Sequence, residues 1–344
     1  MSAVIGTILI LAITIVGIAA LMLWGGPTID RVQADNAASA MEGEFEGLRD
    51  ASQELSVPDH SRFPAVALPR GEIAMTEGTR FLVAANHDAT HPTCDLDVKG
   101  WAAAAPTSQV TVSATGCRAL SSTSLEVDSI SGTTISRVNA TVSGGTVTAP
   151  SADFTVGDWL FRITDGAANP VVYAEAWLHS SDRITWSMRS SGGERDLYLE
   201  GSAIFERQGG NTFLQKAPPI GDSAFGAGYY GLWLRTYAAL GRNTLTGVGS
   251  HQVFLALASN DLHVDENGVS SVRYTFSGDL AQAWCNALVM RNQGLTGASY
   301  LQDSAATCAA GDAQGLRSVT FAYSGGSLFQ FRYLHARIQT SLVQ

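Results

Sequence analysis

His87, His91 and Cys94 fall within the eight residues HDATHPTC, and imidazole and thiolate are side chains that tetrahedral zinc takes. Such a centre needs three or four convergent ligands, and no second cluster at ligand spacing is evident, so no metal is expected. Asp95 and Asp97 in CDLDV can act as paired acid and base, yet a solvated strand face explains the same alternation. In Asp261–Gly268, DLHVDENG, the acidic groups lack the regular spacing and distal glutamate of a calcium loop; a hairpin turn is expected. His179, His251, His263 and His335 each stand alone in strand-like sequence, where an ordinary surface or core histidine is expected. No G-x-S-x-G elbow, H-E-x-x-H helix or phosphate-cradling Gly-Lys loop occurs. The chain reads as a non-enzyme without cofactors, and a tethered enzyme using Asp95 or Asp97 is the alternative.

Two further chemistries remain. Cys94 and Cys117, then Cys285 and Cys308, are each separated by 23 positions. An even count in an exported chain suggests disulfides. Of three connectivities, the expected one is local, closing two equal loops worth roughly 3 kcal/mol each by chain entropy. Asn139-Ala140-Thr141 is an acceptor for N-linked sugar between Ser- and Gly-rich turns.

The elements that carry these residues begin with a rod. No charged side chain occurs before Asp30, and Ser2 to Trp24 is long enough to cross a bilayer, which takes roughly 20 apolar residues. Val4, Ile5, Ile8, Leu9, Leu11, Ile13, Ile15, Val16, Ile18, Leu21 and Leu23 supply surface that lipid or other copies of the chain must cover. Gly6, Ala12, Thr14, Gly17, Ala19 and Ala20 are small enough to let helix backbones approach closely. At Gly25, Gly26 and Pro27 a kink or short unwound stretch is expected, because proline removes a donor and crowds the Leu23 carbonyl. Beyond it, Ile29, Val32, Met41, Phe45, Leu48 and Leu55 recur at helical spacing. A rod of about 55 residues would reach roughly 80 Å, its far half on a globular head and its near half free.

The run SAVIGTILILAITIVGIAALMLWGGP resembles the start of archaeal type IV pilin-like proteins, carried by Ser2, Val4, Ile5, Gly6, Leu9, Ala12, Ile13, Thr14, Gly25, Gly26 and Pro27. The resemblance implies a basic leader cut by a prepilin peptidase, extraction from the membrane by pilus assembly machinery, and a homopolymeric extracellular filament. No basic cleavage site is visible, and such a leader is expected to precede Met1. Ile5 stands where bacterial pilins usually carry glutamate.

After residue 55 the chain becomes short alternating strands between glycine turns. GEIAMTEGTRFLVAANHD reads as two strands around a Glu77-Gly78 turn, and Asp279 to Met290 as the one convincing helix of the head. Residues 56–344 are expected to form an antiparallel, sandwich-like head, with a possible sub-boundary near 217–228. Phe329, Phe331 and Tyr333 alternate with Gln330 and Arg332 as a half-buried final strand. With 35 Gly, 15% charged residues and net charge −10, the composition suits an exported structural protein and offers no nucleic-acid footprint. The expectation is a filament subunit with helices in the core and heads facing solvent for adhesion. A single-pass anchor for an outer-surface binding domain is the alternative.

Overall fold

The rod forms as one helix. In the computed structural model, which describes residues 2–56, 60–87, 95–99, 101, 111–115, 124–131, 134–138, 141–143, 146–148, 157–164, 168, 171–218, 229–241, 244–294, 308–310, 316–322 and 328–343, it spans Ser2–Gln53. Helical structure runs through Gly25, Gly26 and Pro27, so the expected unwound stretch is absent. The Thr28 hydroxyl donates to the Trp24 carbonyl at 3.0 Å, restoring a contact beside the donor that Pro27 lacks.

The far half of the rod docks on the head. Ala34, Ala37, Ala38, Met41, Phe45, Leu48 and Ser52 are buried at three- and four-residue steps, one stripe of the helix. Ile29 and Val32, expected in that stripe, are exposed, and alanines take the first docked turns. Charged groups flank the stripe. Arg70 Nη1 reaches Asp30 Oδ1 at 2.6 Å, Arg195 Nη1 reaches Asp35 Oδ1 at 2.9 Å, and Lys216 Nζ reaches Glu46 Oε1 at 2.7 Å.

The head is β-rich and built around two long strands, Glu72–Asn86 and Val172–Ser190, which pair antiparallel along most of their length. The first half of Val172–Ser190 also pairs with Asp158–Thr164, and its second half with Gly193–Glu200. The pairing is not wholly antiparallel: Tyr229–Ala239 runs parallel to Phe329–Val343, which in turn pairs antiparallel with Gly249–Val269. The strands on either side of 217–228 belong to one hydrogen-bonded sheet network. A separate small sheet holds Asp95–Lys99, Thr111–Thr115, Thr141–Ser143 and Thr146–Thr148.

Two corrections follow from the ladders. Glu77-Gly78 makes no turn; it lies inside Glu72–Asn86, at a bulge where Gly78 and Thr79 together stand opposite Ser181. Asp261–Gly268 likewise makes no hairpin and continues Gly249–Val269, its irregularity absorbed by register shifts at Leu262/Val264 and Asn267/Val269. In both places a bulge takes up the polar interruption while pairing continues.

The bulge opposite Ser181 divides the core. Before it, Trp177 points with Phe81, Val83, Tyr274 and Phe331 into one apolar cluster. After it the parity changes, and Ile184, Trp186 and Met188 join Ile73, Leu255 and Ile338 in a second cluster that the N-terminal helix covers. The first cluster is capped by a helix at Ala281–Gly294, through Leu280, Ala281, Trp284, Cys285 and Leu288. Asp279, just ahead of that helix, receives Arg183 at 2.6 Å and Arg207 at 2.8 Å. Cys285 and Cys308 form a disulfide, the local pairing expected for that pair. Cys94, Cys117 and Asn139 lie outside the described residues.

At the bulge a carboxyl is fully buried. Glu200 Oε1 accepts from Thr79 N at 2.5 Å, and a Cβ on Gly78 would come within 2.7 Å of the Ser181 carbonyl and 3.1 Å of Glu200 Cδ, so only glycine fits. Desolvation pushes the Glu200 carboxyl up to about 7 against the opposing pull of Thr79 and Arg183.

Two outcomes are expected. Phe45→Ala should cost about 3 kcal/mol or more in chemical denaturation, whereas Ile18→Ala, on the free half, should leave the head's midpoint unchanged. Because the folded-state pKa of Glu200 lies above its unfolded value, its stabilisation is complete below pH 4.5 and fades as pH rises to about 7. Denaturation of wild type and Glu200→Gln across that window should therefore show wild type losing on the order of 3 kcal/mol relative to the variant.

Candidate functional site

Two features of the molecule have the properties of a site: the free half of the rod and a histidine cluster in the head. The rod is exposed on every side. Ile8, Leu9, Leu11, Ile13, Ile15, Val16, Ile18, Leu21 and Leu23, all expected as packing residues, are each at least half exposed, as are Ile10, Met22 and Trp24. The side chains of Val4 and Ile5 lie outside the described residues. The segment is long and apolar enough to cross a membrane, and none of it is buried against the head. Added Cβ atoms at Gly6, Gly17, Gly25 and Gly26 would meet nothing, so these small positions are not needed for packing within the chain.

Where the rod meets the head, its direction is fixed by polar contacts. Ser191 N donates to Asp30 Oδ2 at 2.6 Å and Ser191 Oγ to the Pro27 carbonyl at 3.1 Å. With Arg70 they form a clasp that begins at Pro27, directly after Gly25-Gly26. The backbone and hydroxyl of Ser191 and the Arg70 guanidinium lower the Asp30 carboxyl to about 2.

The second feature joins residues that the sequence holds far apart. His179 lies on Val172–Ser190, His263 on Gly249–Val269 and His335 on Phe329–Val343. One ring nitrogen from each comes within 4.8 Å of the others, and the His179 and His335 ring centroids are 3.8 Å apart. His263 occupies the bulge at Leu262/Val264, outside the paired ladder, and bulges re-aim side chains in this way. Tyr333 packs against His179 and His263 at 5.8 and 5.2 Å.

The polar partners are few. Thr236 Oγ1 meets His335 Nε2 at 2.8 Å. His179 Nδ1 lies 3.3 Å from Asp158 Oδ1, an ion-pair distance without the alignment of a hydrogen bond. His179 Nε2, His263 Nε2 and the Tyr333 hydroxyl are buried with no partner. Burial, reinforced by His179, pushes His263 down to about 3, and burial pushes His335 well below the ordinary imidazole value. Burial alone would raise the Asp158 carboxyl, but His179, His335 and Arg337 outweigh it and hold the group well below the usual carboxylate range.

Among the described residues, the other candidate histidines do not join this group. His91 and Cys94 of HDATHPTC lie outside the described residues, as do the side chains of Asp95 and Asp97. His87 Nε2 instead meets Glu175 at 3.1 Å, and His251 meets the Gly247 carbonyl at 3.1 Å.

Removing residues 1–24 should leave a head that stays monomeric without detergent and keeps the far-UV circular dichroism of its strands, while the full chain requires detergent or self-association; sedimentation of both forms checks this. Residues 1–114, roughly a third of the chain, match the model of a family described as a family of unknown function (DUF7289). No curated protein and no solved structure matches.

Proposed function

We propose that the protein is the structural subunit of an extracellular filament of the type IV pilus kind, held in the membrane before assembly and then polymerised through its N-terminal helices. The observation that carries this reading is the continuity of one helix whose far half is clamped to the head and whose near half is wholly apolar and uncovered. Burying some twenty apolar side chains at roughly 1.5 kcal/mol or more each is a larger drive than ordinary interface contacts supply. Lipid provides that burial before assembly. In a filament, neighbouring copies must.

Heterologous contacts repeated along a screw axis do not close, so one sequence suffices for both a helical core and an outer wall of heads. The uncovered glycines support helix-on-helix burial. Lipid chains gain nothing from Gly6 and Gly17, whereas close approach of helix backbones needs small residues. The resemblance of Ser2 to Pro27 to archaeal pilin-like starts agrees with this reading, as does a head tied to the rod by ion pairs along the docked half. Processing by a prepilin peptidase and adhesion through the solvent face belong to the same proposal.

Electron microscopy of the native assembly is the test. Ordered fibres with helices at the axis are expected. Gly17→Leu should still partition into membranes, being more apolar, yet reduce fibre yield by about tenfold or more by blocking close helix contact. Wild-type protein found only as monomers in lipid or detergent would overturn the proposal in favour of a single-pass anchor for a surface domain.

A further inference from the structure

The contacts of the histidine cluster described above all come from strands of the head and none from the rod. Neutral imidazoles buried side by side need acceptors for their N–H groups and donors for their lone pairs, and buried polar atoms in native proteins are nearly always satisfied. Here His179 Nε2 and His263 Nε2 have no partner within the protein, and Thr236 and Asp158 engage one nitrogen each of His335 and His179. A cation accepting three lone pairs would complete this arrangement.

We propose that the head binds one divalent transition-metal ion of the zinc class through His179, His263 and His335. With Nε2 of His335 directed at Thr236, its Nδ1 is the ligand; with Nδ1 of His179 directed at Asp158, its Nε2 is the ligand; His263 offers Nε2. This is the usual order around such ions, in which the other ring nitrogen of each ligand is oriented by a carboxylate, hydroxyl or carbonyl. Ligand nitrogens about 2.0–2.1 Å from zinc at tetrahedral angles lie roughly 3.4 Å apart. Three nitrogens already within 4.8 Å converge by small side-chain rotations, and His263, in its bulge, is the one freest to move. Three imidazoles leave a fourth position for water, beside the unpartnered hydroxyl of Tyr333. The ion staples Val172–Ser190 to Gly249–Val269 and Phe329–Val343, strands that the sequence brings together only through long connections.

Untagged full-length protein in detergent, stripped with a chelator and dialysed, is titrated with Zn2+ and with Co2+, with bound metal read by elemental analysis and Co2+ geometry by its visible absorption. One ion per chain is expected, with tetrahedral cobalt bands and a melting temperature that rises with Zn2+. His263→Ala, the ligand nearest the surface, should abolish the bands and the thermal shift while keeping the wild-type circular dichroism. Thr236→Val should weaken affinity by roughly 10-fold or more, and His251→Ala and His91→Ala should change neither readout. Folded wild-type protein that takes up no stoichiometric metal would overturn the proposal. So would equal binding by His263→Ala, or loss of binding in His91→Ala, which would place the ion at HDATHPTC.

Discussion

The constraint on which the rest depends is that a single helix must satisfy two solvents. From Ala34 onward its buried stripe is part of the head's core, so this half cannot leave without exposing Met41, Phe45 and Leu48. From Ile8 to Trp24 every face is uncharged and uncovered. The continuity of hydrogen bonding between the halves means that whatever covers the first half is mechanically coupled to the head. A flexible stalk would separate the two problems, and a rigid helix joins them.

In the head, the ladder's irregularities position the polar residues. Ser181 faces Gly78 and Thr79 across the bulge, and its hydroxyl, accepting from Tyr237 N at 3.1 Å, ties its strand to Tyr229–Ala239 beside it. The same bulge, whose extra residue belongs to Glu72–Asn86, separates Ile73 and Met75 of one apolar cluster from Phe81 and Val83 of the other and brings Glu200 against Gly78. The Leu262/Val264 irregularity likewise places His263 beside His179 and His335. Regular pairing builds the two cores, and departures from it place the groups with unusual protonation.

This division explains what could be read from the chain. Long-period signals were legible: the uncharged opening, the apolar spacing from Met41 to Leu48, the alternation of Phe329, Phe331 and Tyr333, and the spacing of Cys285 and Cys308. Bulges were not, because a polar or glycine interruption such as Glu77-Gly78 or Asp265-Glu266-Asn267-Gly268 looks the same whether the strand turns or continues; only the partner strand decides. The histidine cluster was hidden for a related reason, since three strands distant in sequence must be aligned before the residues meet. A partial signal existed. His335 continues the inward alternation of Phe331 and Tyr333, and His179 that of Trp177, so both stood at core positions of aromatic-rich strands, where an imidazole needs a partner.

The helix is weakest where the two halves meet. Two glycines and a proline together disfavour helix by about 5 kcal/mol relative to alanine, and an isolated rod would bend there. The clasp of Ser191, Arg70 and Asp30 lies immediately after this stretch, and the Thr28 hydroxyl supports the turn across Pro27. External contacts therefore hold a segment that intrinsic propensity would release. The direction in which the apolar half leaves the head is thus set by head residues, and a change in the clasp would redirect the rod without disturbing its apolar surface. In an assembly of identical copies, that direction fixes how far each head stands from the common axis.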